Sequence, residues 1–72
     1  MSVANARRPV VFHTYVVVVM RRTERAVLVQ RRGESLWIPL AAIDDPGSLR
    51  ADGSVQYVDV AEWWARRNGL EA

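Results

Sequence analysis

The sequence predicts a β-rich α+β fold, in which one short C-terminal helix packs on a small curled antiparallel sheet of four to five strands. β-Branched and aromatic residues fill residues 10–20 almost without interruption, as is typical of strands. Turn residues then divide the chain into short segments until a helical period begins near residue 60. Because 72 residues have room for only one core, we expect a single domain over residues 9–72 and a flexible arm over residues 1–8.

The composition excludes several kinds of site. The chain has no cysteine and one histidine, His13, so it has no disulfide, no thiolate zinc site and no site with two imidazoles. The apolar run over residues 9–20 is shorter than the roughly 20 residues that cross a bilayer. A net charge of +2 is small, and the pI of 9.9 follows from the absence of lysine and cysteine. We expect a cytoplasmic protein with no cofactor and no membrane contact.

Three strands are predicted first. They cover residues 10–20, residues 26–31 and the segment SLWIPL that begins at Ser35, with a polar hairpin loop between the first two. Pro39 has no N–H to donate, so the third strand should lie on an edge of the sheet or end there.

Two turns are predicted after the third strand. Asp45-Pro46-Gly47 suits a type II turn, because glycine accepts the positive φ that its third residue needs. Asp52-Gly53 suits a type I′ hairpin turn that pairs residues 49–51 with residues 54–58.

The last segment is predicted to be a helix that ends at Asn68. Asp59 and Glu62 have the spacing of a capping box, which would start the helix after Asp59. Gly69 and Leu70 fit a Schellman motif at its C-terminus. A helix this short is not stable alone, so Trp63 or Trp64 should dock on the sheet.

The first strand is apolar on both faces. Successive side chains of a strand point to opposite faces, yet every residue from 15 to 20 is apolar. We expect the helix to cover one face and Tyr15, Val17 and Val19 to be exposed on the other, which predicts self-association through Val17 and Val19. Alternatively, residues 1–12 or residues 41–50 fold over that face.

All ten basic side chains are arginines, and most of them fall in pairs. Guanidinium groups suit phosphate, and Arg31, Arg32, Tyr15 and Trp37 form a candidate site for a ligand or partner. The predicted hairpin places Arg21, Arg22 and Arg25 at the opposite end, so we expect two basic zones. The alternative is that these arginines are solvated or pair with the eight acidic residues.

Trp37 is the strongest single candidate for a binding anchor. In LWIPL, Leu36, Ile38 and Leu40 should share the inner face, which leaves Trp37 on the outer one. An outward tryptophan is either covered by a loop or used to bind a partner.

Catalysis and metal binding are not expected. His13 lies within the first strand, and no serine has a spacing in the chain that suggests a catalytic nucleophile. We therefore interpret His13 as a structural residue. Asp44, Asp45 and Asp52 are typical loop residues around Pro-Gly, and the four glycines are isolated, so no phosphate loop is present.

The segments AVLV, LWIPLAAI and VAEWWARRNGL, within residues 26–70, resemble a set of small open reading frames that are common in phages and prophages. That set has a Trp-x-Pro strand end and a short helix of Glu-Trp-Leu-Ala type that closes in Gly-Leu. This chain departs from the set at Leu40-Ala41, where a polar pair is usual, and at Ala61 and Trp64, where proline and leucine are usual. The matching residues are Trp37, Pro39, Glu62, Trp63, Gly69 and Leu70.

The resemblance implies an accessory protein of a mobile element, a class whose small members often block host defence components or sequester their signals. The leading hypothesis is therefore a non-catalytic binding protein of phage or prophage type that occludes a host protein or sequesters a nucleotide. One alternative is a nucleic-acid-binding small β-barrel that uses arginines and stacked aromatics. Another is a structural homo-oligomer.

Overall fold

A computed structural model describes residues 10–70, which form an open antiparallel sheet of five strands and one α-helix. The strand order is β3-β2-β1-β5-β4, so the β-rich α+β fold is confirmed. The predicted arm over residues 1–8 lies outside the described residues. The elements are β1 (Phe12–Arg22), β2 (Ala26–Arg31), β3 (Glu34–Pro39), β4 (Ile43–Asp44), β5 (Val55–Ala61) and α1 (Glu62–Arg67).

β2, the loop before it and the end of β3 follow the local sequence closely. β2 covers the predicted residues 26–31, and Pro39 ends β3, which is an edge strand as expected. The loop before β2 is held by Thr23, whose hydroxyl oxygen accepts from the backbone N–H groups of Arg25 and Ala26. These features depend on neighbouring residues, which is why the sequence predicts them.

β1 lies at the centre of the sheet and joins its two halves. It pairs with β2 from Val18 to Arg22 and with β5 from Phe12 to Val18. An extra residue between Val19 and Arg21 makes a β-bulge opposite β2, which bends β1. On the β2 side the ladder stops at Val18, so the first half of β1 faces a notch at the end of β2.

The expected orientation of β1 is wrong. Tyr15, Val17 and Val19 are buried in the core, and Val16 and Met20 are exposed instead. The expectation that Val17 and Val19 mediate self-association therefore fails, because the helix and the segment after β3 cover the face to which they point. The core contains Tyr15, Val17, Val19, Val27, Val29, Ile38, Ala42, Ile43, Leu49, Val58, Val60, Ala61, Trp64 and Ala65.

The predicted hairpin around Asp52-Gly53 does not form. Residues 49–51 are not a strand, and β5 pairs with β1 and β4. Instead of a β-ladder, the side-chain amide of the buried Gln56 hydrogen-bonds to the backbone of Arg50. Its Oε1 accepts from the Arg50 N–H at 2.8 Å, and its Nε2 donates to the Arg50 carbonyl at 2.6 Å. Asp52 accepts from the Ser54 N–H at 2.9 Å, so the turn is stabilised by a side chain.

The predicted type II turn at Asp45-Pro46-Gly47 is also wrong. Asp45 itself takes the left-handed conformation, with φ 53°, and residues Pro46–Ser48 form a single 3₁₀ turn in which Gly47 has no positive φ. The type I′ pattern occurs elsewhere, at Arg32 and Gly33, which have φ values of 54° and 81° between the paired residues Arg31 and Glu34. Arginine is not a residue that signals this turn, so the sequence does not predict it.

The start of the helix differs from the predicted capping box. Asp59 remains in the β5 ladder opposite Thr14, whose hydroxyl donates to the Asp59 carboxylate. α1 begins after Ala61 without a side-chain cap, and the N–H of Glu62 donates to the carbonyl of Val11 at 2.8 Å. The backbone before β1 thus satisfies the helix terminus that Asp59 was expected to cap.

The end of the helix is as predicted. Gly69 has φ 72°, its N–H donates to the carbonyl of Arg66, and the N–H of Leu70 donates to the carbonyl of Ala65 at 2.8 Å. This is the Schellman arrangement. Trp64 is 9% exposed and docks on the core, whereas Trp63 is 51% exposed.

Candidate functional site

The notch beside β1 contains three of the four residues proposed from the sequence to bind a ligand. A groove of about 330 Å³ is lined by Thr14, Tyr15, Val16, Arg31 and Arg32. It forms because β2 turns into β3 at Arg32-Gly33 while β1 continues beyond it. We call this the arginine groove.

Tyr15 and Arg31 are stacked within the arginine groove. The guanidinium carbon of Arg31 lies 5.1 Å from the centroid of the Tyr15 ring, which is cation–π distance. The Tyr15 side chain is buried, and its hydroxyl donates to the carbonyl of Leu70 at 3.5 Å. The expected role of Tyr15 as an exposed stacking surface is therefore wrong, and Tyr15 instead supports Arg31.

Arg32 stands at the exposed tip of the β2–β3 hairpin. Its left-handed backbone conformation is uncommon for a residue with a long side chain and costs about 1 kcal/mol. A second groove of about 290 Å³ borders this tip and is lined by Arg31, Arg32, Glu34 and Gly69. The arginine pair therefore borders two adjoining grooves.

Trp37 lies apart from this site. It is 47% exposed and pairs across the sheet with Leu28, whereas Arg31 pairs with Glu34 at the other end of β3. A separation of three residues along a strand is about 10 Å. Trp37 points away from the core as predicted, so the four residues proposed from the sequence divide into the arginine groove and a separate tryptophan.

Trp37 belongs to an exposed apolar surface that the sequence analysis assigned to the wrong residues. The side chains that form this surface lie on the side of the sheet opposite the core. The most exposed are Val55 and Tyr57, at 66% and 74%. We call this surface the outer face: Phe12, Val16, Met20, Trp37, Val55 and Tyr57. β5 gives no signal for this surface, because VQYVDV does not alternate: Val55 and Tyr57 are apolar and exposed, and Val58 and Val60 are apolar and buried.

The second predicted basic zone lies at the opposite end of β1. Arg21 and Arg22 are at the C-terminal end of β1, and Arg25 is in the loop that follows. Arg22 donates to the carbonyl of Pro46, so part of this zone holds the segment after β4 in place.

His13 joins β1 to α1. Its Nε2 lies 3.1 Å from Oε2 of Glu62, and the Arg66 guanidinium lies 3.6 Å from the same oxygen. The hydrogen bond with His13, with a smaller effect of the Arg66 charge, lowers the pKa of Glu62. These contacts agree with our interpretation of His13 as a structural residue, and Glu62 and Arg66 form the helical pair that their spacing indicates.

Asp52 gives the turn before β5 a dependence on pH. Hydrogen bonds from the Ser54 hydroxyl and N–H, with a smaller effect of Arg50, lower the pKa of Asp52 from 3.8 to about 2. A lowered pKa stabilises the folded state above the unfolded pKa, and this stabilisation is lost as the pH falls from about 4 to 2.

We therefore expect Asp52→Asn to be less stable than the wild type at pH 7 and the difference to shrink as the pH falls from about 4 to 2. Thermal unfolding of both proteins across this range measures the effect. Glu24→Gln, which removes a carboxylate from an exposed loop position, is the control. A difference for Asp52→Asn that stays constant with pH would contradict the assignment.

Residues 10–70 hold no group of three His, Asp or Glu side chains placed to share a metal ion. Over the same part of the chain, no helix has the length and apolar character needed to cross a membrane. Comparisons with protein-family models, curated proteins and solved structures found no match to the chain. The assignment of the candidate site therefore rests on the geometry of the described residues alone.

Proposed function

We propose that this protein is a non-catalytic binding protein that sequesters a small phosphate-bearing molecule, of nucleotide size, in the arginine groove. The observation that carries the proposal is the convergence of Arg31 and Arg32 on one groove whose inner wall is Tyr15. A volume of about 330 Å³ is at the lower end of the range for small-molecule sites.

The chemistry of the groove favours an anion with an attached flat or apolar group. Arginine presents planar N–H donors that match phosphate oxygens, and its guanidinium plane also stacks on rings. Contact with Tyr15 orients Arg31 before any ligand binds, which lowers the entropy lost on binding. The exposed side chain of Val16 supplies an apolar wall beside these donors.

The backbone of Arg32 supports a functional reason for arginine at this position. Asparagine or glycine would adopt the left-handed conformation at lower cost. Strained residues often lie at binding sites, where the side chain is worth more than the lost stability. On this proposal, the hairpin tip carries a charge that the turn itself does not require.

The resemblance to small phage open reading frames supports a biological role for this binding. We propose that the protein is an accessory protein of a mobile element and that it removes a nucleotide signal from a host defence system by stoichiometric binding. Such a role needs tight binding in a groove but no catalytic group.

The variant Arg32→Asn tests the groove. We expect it to weaken binding of adenosine 5′-monophosphate at least tenfold, because one guanidinium is lost, or about 1.4 kcal/mol. The Asn-Gly turn that results is the favoured type I′ sequence, so the free energy of unfolding should rise by about 0.5–1 kcal/mol. Calorimetric titration and urea unfolding measure the two effects.

Arg25→Asn is the matched control, since Arg25 is an exposed arginine in the other basic zone. Equal losses of affinity in both variants would indicate general electrostatic attraction and contradict a site at the groove. The absence of binding by the wild type at millimolar concentrations of adenosine 5′-monophosphate, and of inorganic phosphate as a second probe, would overturn the proposal.

The exposed apolar surface favours occlusion of a protein partner as a second candidate function. Trp37 is the largest side chain of the outer face, and tryptophan is frequent among residues that dominate interfaces. The nucleic-acid alternative has less support, because the sheet is open and Tyr15 is buried.

A further inference from the structure

We infer that the outer face binds a second copy of this chain, with the strands of the two copies packed face to face in opposite directions. The outer face meets the arginine groove at Val16, but the inference does not depend on the proposed function. It rests on the exposed apolar area and on the distribution of charge around it.

The apolar area is the first argument. The six side chains of the outer face are between 38% and 74% exposed, which amounts to roughly 600 Å² of apolar surface. A patch of this size is at the upper limit of what monomeric proteins expose, and patches this large are often interaction surfaces. With its polar margin, the face approaches the roughly 800 Å² per partner of a standard interface.

The charges at the two ends of the outer face have opposite signs. Arg21 lies at one end, where it pairs across the sheet with Leu28. Asp44 and Asp59 lie at the other end and are direct cross-strand partners. Two carboxylates in this position destabilise a sheet, and no ion pair with a described residue engages Asp44, Asp59 or Arg21.

This distribution of charge selects one two-fold arrangement. A symmetry axis that lies in the interface and crosses β1 at a right angle brings Arg21 of each copy to the carboxylates of the other. Thr14, the neighbour of Asp59 in the sheet, is seven residues from Arg21 along β1, or about 23 Å, so the axis passes near Val18. An axis parallel to β1 would instead place arginine against arginine, which opposes association.

The same axis matches apolar side chains. Val16 and Met20 lie at similar distances on either side of Val18 along β1, so Val16 of one copy faces Met20 of the other. Val55 stands in β5 beside Val18, so it lies close to the axis and faces Val55 of the other copy, and Tyr57, beside Val16, flanks this contact. The two sheets would form a sandwich with a spacing of about 10 Å.

Charge reversal tests both the surface and the orientation. Arg21→Glu places like charges together in its own dimer, and so does the double variant Asp44→Lys/Asp59→Lys. We expect each variant alone to associate at least tenfold more weakly than the wild type. An equimolar mixture restores both charge pairs, so its affinity should return to within about threefold of the wild-type value.

Sedimentation velocity over concentrations from about 1 to 500 µM measures the association, for which we expect a wild-type Kd on the order of 10 µM. Arg67→Glu is the control, because Arg67 is exposed on α1, which packs on the other face of the sheet; it should associate like the wild type. A monomeric wild type over this range overturns the inference and leaves the outer face to another protein. Failure of the mixture to recover, or an equal loss in Arg67→Glu, overturns the orientation.

Discussion

Replacing Trp64 by alanine is expected to lower the free energy of unfolding by about 3–5 kcal/mol. Trp64 is 9% exposed and is the largest side chain that α1 contributes to the core. α1 has six residues, too few to be stable without packing, so loss of this contact releases the helix as well as creating a cavity. A chain of this length has a total stability of about 4–10 kcal/mol, and the variant should be close to unfolding.

Trp63→Ala is the matched control for this prediction. Trp63 is the same residue type at the preceding position of α1 but is 51% exposed, so its loss should change stability by about 0.5–1 kcal/mol. Urea unfolding followed by circular dichroism measures both variants. Equal destabilisation by the two substitutions would mean that the helix does not pack on the sheet through Trp64.

Replacing Gln56 by alanine is expected to lower the free energy of unfolding by about 2–3 kcal/mol. The Gln56 side chain is 9% exposed and binds both the N–H and the carbonyl of Arg50. Its loss leaves two backbone groups without these partners and opens a space beside β5. It also removes a contact at 3.1 Å with the Ser54 hydroxyl.

Gln56→Leu separates the two causes, because it keeps most of the volume and removes the hydrogen bonds. If the hydrogen bonds dominate, Gln56→Leu and Gln56→Ala should be destabilised to a similar extent. Gln30→Ala, at a half-buried position of β2, is the control and should change stability by less than about 1 kcal/mol. Wild-type stability in both Gln56 variants would contradict the role of the amide.

The elements that the sequence predicts well are those determined by neighbouring residues. The bounds of β2, the end of β3 at Pro39 and the Schellman motif at Gly69 depend on local hydrogen bonds and backbone preferences. Tertiary contacts override local signals elsewhere. Asp59 has the spacing of a helix cap, but pairing with Thr14 keeps it in a strand.

The sequence does not determine which face of β1 is buried, and this is the clearest example of such a feature. Residues 15–20 are apolar on both sides, so alternation carries no information, and only the positions of α1 and the segment after β3 determine that Val17 is buried and Val16 exposed. The sequence therefore does not predict which side chains of β1 belong to the outer face.

The candidate site was predicted more completely than the surface. Tyr15, Arg31 and Arg32 meet at one groove because the first hairpin has the expected direction. The buried state of Tyr15 and the left-handed backbone of Arg32 depend on contacts that no local pattern reports.

The two pairings of β1 differ in the length of chain that each encloses, and this sets an order of assembly. β1 and β2 are joined by a three-residue loop, whereas Thr14 and Asp59 are 45 residues apart in the chain. Short loops close faster, so β1, β2 and β3 should form a meander before β5 arrives. During synthesis on a ribosome, one edge of β1 therefore stays unpaired until Val55–Ala61 has left the exit tunnel.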